Sequence, residues 1–233
     1  MRLDKYLAKM TVLSRNEVAK AARKGRILIN GEVVKSAKFN VDEDSDIVTL
    51  DGEDITFREN IYIMMNKPDG VICSTRDRQK TVLELLPIDV GQREPFSCGR
   101  LDKDTTGLVL LTDDGAWAHG ITSPNRNCGK AYLVNSKTEL TEKDIKLFEN
   151  GFLLDEEEEK PTLPAILEKL DECYYKLIIF EGRYHQVKRM FEAVGNEVTR
   201  LHRDSIGELK LDPDLEEGDW RYLTEEEVGA LRS

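Results

Sequence analysis

Phe96-Ser97-Cys98-Gly99-Arg100-Leu101-Asp102-Lys103-Asp104-Thr105-Thr106-Gly107-Leu108-Val109-Leu110-Leu111-Thr112-Asp113-Asp114-Gly115 is the stretch on which the reading of this chain turns. It opens as a strand edge, passes through a polar loop rich in Asp and Thr, and enters a wholly apolar strand from Gly107 to Leu111 that must be buried. An Asp114-Gly115 turn closes it. A polar loop between two buried strands is a place for chemistry. Arg100 and Asp102 stand two residues apart, so in extended chain they project to the same side, where a cation keeps a neighbouring carboxylate ionised. Asp102 is therefore a candidate nucleophile or base. Spacing alone favours a plainer role, in which Asp102, Asp104 and Thr105 hydrogen-bond to the loop backbone.

Working outward, 233 residues with 39% apolar content suffice for one large domain and a small one. No stretch approaches the apolar length of a membrane span, and Met1-Arg2-Leu3-Asp4-Lys5 lacks a signal-peptide core, so the expectation is a soluble, cytoplasmic protein. A monomer is expected. Cys73, Cys98, Cys128 and Cys173 are scattered without a C-x-x-C pair, and His119 stands alone. That spacing argues against a disulfide framework and against a metal site. The net charge of -11 argues at first against a nucleic-acid partner. Its distribution argues the other way: residues 1–40 carry ten Lys and Arg against three Asp and Glu, a balance of +7, which leaves -18 for the rest. A basic head on an acidic body points to an anionic partner for the head. The acidic run Asp155 to Glu159 is expected to be a solvated face turned away from that partner.

In the head, Leu3, Tyr6, Leu7 and Met10 fall at helical spacing. Ser14 and Glu17 form a capping box for a second helix that Gly25 ends, and Arg15, Lys20, Arg23, Lys24 and Arg26 lie along or just beyond it. Asn30-Gly31 between Ile27-Leu28-Ile29 and Val33-Val34 is a strong hairpin signal, and Ile47 to Leu50 runs into a second turn at Asp51-Gly52. Beyond a polar connection, Ile61 to Asn66 reads as a strand, Pro68-Asp69-Gly70 as a turn and Val71 to Ser74 as its hairpin partner. A short helix follows around Ala116 to Ile121. Lys130 to Val134 alternates like a half-buried strand, Thr141 opens a helix that Gly151 stops, and Tyr174 to Phe180 is another strand. Val187, Met190, Phe191 and Val194 then repeat at core spacing before Gly195, with His185, Lys188 and Arg189 on the opposite face. Thr224 and Glu227 cap a final helix.

Two resemblances join these pieces. Arg2-Leu3-Asp4-Lys5-Tyr6-Leu7, Ser14-Arg15 and Gly25-Arg26-Ile27-Leu28-Ile29-Asn30-Gly31 resemble the S4 RNA-binding module, whose basic second helix tracks phosphates of folded RNA. This implies RNA contacts by Arg2, Lys5, Arg15, Lys20, Arg23, Lys24 and Arg26. Gly99-Arg100-Leu101-Asp102 with Asp104-Thr105-Thr106-Gly107-Leu108 resembles the catalytic signature of the RsuA-type pseudouridine synthases. Asn66-Lys67-Pro68 with Gly70 is similar to the family's first motif, which supports the catalytic loop. Glu181-Gly182-Arg183-Tyr184-His185-Gln186-Val187-Lys188-Arg189-Met190 is similar to its third.

The resemblance implies Asp102 as nucleophile or base, Tyr132 as the aromatic that stacks on the target base, and Lys188, with Arg189 as second choice, as the cation paired with Asp102. It further implies substrate contacts by Arg100, which fills the gap left by a flipped base, by Leu201 under that base, and by Arg189 and His185. No metal or organic cofactor is implied.

The fold expected is α+β: an S4-like domain over residues 1–56, then a catalytic domain over 60–233 with a mostly antiparallel sheet and a central cleft. The activity expected is isomerisation of one uridine to pseudouridine in 16S ribosomal RNA, free or within a partly assembled small subunit. Ser74-Thr75, Ile121-Thr122-Ser123-Pro124 and Tyr184-His185-Gln186 look like the small-subunit enzymes. Large-subunit (23S) RNA is the alternative substrate, and a non-catalytic S4 assembly factor a further alternative. A carboxylate glycosidase needs a second acid, and no Asp or Glu has motif support for that role.

Overall fold

The computed structural model describes residues 1–123, 128–155 and 158–232, and the chain forms two compact units. The first comprises Met1–Ile61 with Leu86–Pro95. Residues 86–95 thus fall outside the larger unit, although an expected boundary near residue 60 would include them there. They join the first unit through backbone oxygens: Gln92 donates to Thr11 O, and Arg93 donates to Arg58 O (2.8 Å) and Glu59 O (2.7 Å).

Within that unit, α1 (Leu3–Met10) and α2 (Arg15–Arg23) pack on a small antiparallel sheet of β1 (Ile27–Ile29), β2 (Glu32–Val33), β3 (Val48–Leu50) and β4 (Glu53–Asp54). α3 (Ile88–Gly91) completes it. The Ser14 hydroxyl accepts from Glu17 N, and the Glu17 carboxylate accepts from Ser14 N, so two backbone donors of α2 are satisfied at its start. Asn30 and Gly31 both have positive φ, 52° and 82°, as a two-residue hairpin turn requires. Leu3, Tyr6, Leu7, Val18, Ala21, Ala22, Ile27 and Val48 form the core. Because that face takes the apolar residues, the cations are left outside: Arg2, Lys5, Arg15, Lys20, Arg23, Lys24 and Arg26 are all exposed.

The second unit is built on one sheet with the strand order β13-β5-β7-β11-β8-β10-β9. These are β5 (Tyr62–Lys67), β7 (Thr106–Thr112), β8 (Lys130–Ser136), β9 (Ile166–Asp171), β10 (Tyr174–Ile179), β11 (Val198–Ile206) and β13 (Trp220–Tyr222). Short β6 (Phe96–Ser97) pairs with β7 and β12 (Leu209–Lys210) with β11. Val71 to Ser74 is not the hairpin partner of β5. β7 and β13 occupy both edges of β5, and after the turn Gly70 N donates instead to Lys103 O (3.0 Å).

All seven residues of β7 are buried. One face packs on α4 (Gly115–Thr122) and α7 (Glu225–Ala230) through Leu108, Leu110, Trp117, Ile121 and Val228, and Trp117 Nε1 donates to Val228 O at 3.1 Å. Asp114 is the N-cap of α4, accepting from Ala116 N and Trp117 N, where a simple turn is expected. Beyond β8, α5 (Glu142–Asn150) and α6 (Gln186–Ala193) meet where Phe148 and Phe191 contact edge to face at 5.3 Å.

The register that positions the site is the parallel pairing of β7 with β11, in which His202 faces Thr106 and Arg203 faces Gly107. Every other named strand pairing is antiparallel. Parallel strands start from the same end, so the residues just before these rungs, Asp102–Thr105 on one strand and Leu201 on the other, lie together. Gly107 makes the approach possible: its φ is +101°, and a Cβ there would lie 2.3 Å from Arg203 O.

Candidate active site

The loop preceding β7 is held by its backbone. Lys67, the last residue of β5, is fully buried, and its ammonium donates to Pro68 O (3.0 Å), Lys103 O (3.0 Å) and Thr105 O (2.7 Å). Burial pushes this ammonium below the ordinary lysine pKa, and nearby Cys73, Asp69, Asp104 and Asp102 act against that push. Three carbonyl acceptors satisfy its donors. One lysine thus pins the chain on both sides of Asp104, while Leu101 N donates to Cys73 Sγ at 3.4 Å. The resemblance of Asn66-Lys67-Pro68 to the family's first motif implies support for this loop, and the three-carbonyl seat of Lys67 that provides it emerges from the fold.

Asp102 emerges from this loop at the wall of a cavity of about 660 Å³, which Arg100, Tyr132, His185, Lys188 and Leu201 also line. Lys188 Nζ lies 3.1 Å from Asp102 Oδ2 and 2.6 Å from Asp104 Oδ1, and His185 Nε2 lies 3.4 Å from Asp102 Oδ1. Burial opposes the Lys188 charge, but its hydrogen bonds to Asp104 and Asp102 outweigh burial and hold its pKa above the ordinary lysine value. The same bond from Lys188 holds the Asp104 carboxyl below the usual range. Asp104 is therefore an ion-pair partner of Lys188 as well as a loop residue.

Tyr132 and Leu201 reach the cavity through strand register. Arg203 pairs with Tyr132 and Leu201 with Val134, so these four side chains share one face of the sheet. Tyr132 and Leu201 are both buried there, and Arg100 is exposed at the cavity wall.

Arg189 stands elsewhere. It is not among the cavity-lining residues, and its guanidinium pairs with Asp155 (2.7 Å) and Glu158 (2.6 Å). A substrate contact by Arg189 is not what this geometry provides, and Lys188 is the cation that faces Asp102. The acidic run is likewise not a mere solvated face: Asp155 and Glu158 pair with Arg189, and Glu158 also with Arg183 at 3.0 Å. Asp155 and Glu158 of the run, together with Glu181, are thus the counter-charges of Arg183 and Arg189. Glu156, Glu157 and Pro124 lie outside the described residues.

In the head, Arg26 is held bidentately by Asp51, and Arg2 pairs with Asp4 at 2.6 Å. Lys5, Arg15, Lys20, Arg23 and Lys24 form no ion pair among the described residues.

Fold and site together define a two-part protein: a small module whose first two helices carry exposed cations, and a mixed-sheet domain whose parallel junction presents an aspartate–lysine pair in a cavity. Residues 61–193 match the model of the RNA pseudouridylate synthase family, and residues 1–48 match the S4 domain. The chain belongs to the RNA pseudouridylate synthase family, with an S4 domain preceding the synthase domain. It is 46% identical over 232 residues to the ribosomal small subunit pseudouridine synthase A of Haemophilus influenzae, covering 99% of both chains. Its identity to the protein of the same name from Escherichia coli is 44% over 233 residues, covering 99% of this chain and 100% of that one. A crystal structure of a pseudouridylate synthase, 45% identical, superposes with a TM-score of 0.72 and 99% coverage of each chain.

Proposed function

We propose that this protein is a cytoplasmic enzyme that isomerises one uridine of 16S ribosomal RNA to pseudouridine, with Asp102 at the reacting sugar. The observation that carries the reading is the Asp102–Lys188 pair in a cavity walled by Tyr132 and Leu201, in a chain that matches small-subunit synthases along its whole length. A stacked uridine cannot be reached, so the base is flipped into the cavity, where the Tyr132 ring and the Leu201 side chain hold its faces and Arg100 fills the space it leaves.

The bond from C1′ of the ribose to N1 breaks, the base turns, and a bond from C1′ to C5 forms. The C5 proton is lost and N1 gains one, so the reaction balances without a co-substrate. Asp102 acts as nucleophile at C1′ or as the base that produces a glycal. Lys188 orients its carboxylate and supplies positive charge beside it. Comparing pseudouridine maps of 16S RNA from cells with and without this gene tests the assignment. An unchanged map overturns it.

Lys188→Met is expected to lower turnover by about 10² or more, as loss of a charge-stabilising group does. The pair is partly exposed, so stability should move by only about 1 kcal/mol. Turnover and unfolding midpoint are measured on the same sample. Activity that merely follows the midpoint would reduce Lys188 to a structural residue.

The head supplies general RNA affinity through its exposed cations. Deleting it should raise KM on structured RNA and flatten the salt dependence of binding, because fewer phosphate contacts then release counterions. Filter binding across a salt series reads this directly. Equal slopes with and without the head would remove it as the anchor.

A further inference from the structure

We propose that Tyr184 is a stacking platform for a nucleobase adjacent to the flipped uridine, a second base subsite at the wall of the cavity. The inference rests on the isomerase reading above and extends it to the neighbouring nucleotide.

Tyr184 is 70% exposed, yet it lines the same cavity as Asp102. One face of its ring lies on the His185 ring, with centroids 3.8 Å apart and planes 18° from parallel. His185 Nε2 in turn stands 3.4 Å from Asp102 Oδ1. Tyr184 is thus separated from the Asp102 carboxylate by a single ring.

The turn that presents the two rings is fixed by its own bonds. Gln186 Oε1 accepts from Arg183 N at 2.9 Å, Gln186 Nε2 donates to Glu181 at 2.9 Å, and Arg189 donates to Tyr184 O at 3.3 Å. His185 adopts the left-handed conformation, φ 48° and ψ 32°, which turns the chain sharply just before α6. A tyrosine that served the core would be turned inward. Here a constrained backbone holds an aromatic ring outward, at a site that must receive RNA.

Arg100 fills the gap in the stack, and a neighbouring base that itself leaves the stack as the strand enters the cavity presents a face that protein aromatics recognise without regard to base identity. Two stacked, nearly parallel rings that end on an open face suit that occupant: a single purine or pyrimidine of the substrate strand.

The test uses the full chain and an RNA fragment containing the mapped uridine, with the nucleotides on either side replaced in turn by an abasic residue. Losing one base–aromatic stack should raise the KM of Tyr184→Ala about tenfold and leave kcat within about twofold, while Tyr184→Phe and Tyr184→Trp keep wild-type KM. One abasic replacement should cost wild type the same factor and cost Tyr184→Ala nothing further, since the stacking partner is already absent. The proposal is overturned if Tyr184→Phe loses as much as Tyr184→Ala, or if abasic replacement on either side penalises wild type and Tyr184→Ala equally. Wild-type protein that isomerises no uridine would instead overturn the isomerase reading, and this one with it.

Discussion

Asp102→Asn is expected to leave the protein folded and able to bind RNA while reducing uridine isomerisation by more than about 10³-fold, a barrier increase of roughly 4 kcal/mol. The amide has the shape of the carboxylate but can neither attack C1′ nor take a proton from the sugar. The surroundings explain why the fold survives. Lys188 retains Asp104 as a partner at 2.6 Å, and the loop is held through the carbonyls of Lys103 and Thr105, independent of the Asp102 side chain. Release of tritium from C5-labelled uridine in RNA is the assay. Turnover within about tenfold of wild type, roughly 1.4 kcal/mol, would remove Asp102 from the chemistry.

Gly107→Ala should have the largest effect on stability, about 3 kcal/mol or more, with activity lost in parallel. The new Cβ would meet Arg203 O at 2.3 Å and Arg203 N at 2.8 Å, both backbone atoms of the facing strand, on a residue whose φ of +101° disfavours any side chain. Relief requires β7 and β11 to separate at their parallel rungs, which moves the Asp102 loop away from Leu201. Gly115→Ala is the control, since nothing lies within 4 Å of its Cβ and its φ is not positive. Both tryptophans, Trp117 and Trp220, belong to this unit, so their fluorescence during urea unfolding reports on it. A Gly107→Ala loss under about 1 kcal/mol would show that the strands part at little cost.

Local signals are read well wherever one residue type has a single physical use. Ser14, Thr141 and Thr224 all cap helices with the acid three residues later, and Asn30-Gly31 makes its hairpin. The apolar run after Asp102 becomes the fully buried β7. Pairing across the sheet is less legible. β13 has three half-buried residues and no alternation, yet it takes the edge of β5 that the hairpin reading assigned to Val71–Ser74.

By itself, therefore, the sequence determined the elements with strong local chemistry, the charge asymmetry of the head, and Asp102 as the acid in a loop between buried strands. Beyond the resemblance, which puts Lys188 ahead of Arg189, only the tertiary structure decided which cation meets that acid. Lys188 and Arg189 are neighbours on one helix, about 100° apart around its axis, and both are basic, so composition and spacing treat them alike. The parallel contact of β7 with β11 sets where the Asp102 loop stands, and the packing of α6 turns Lys188 toward it while Arg189 meets Asp155 and Glu158. Such a choice depends on the rotation of a helix against a sheet, and that rotation is fixed by long-range packing that no local pattern encodes.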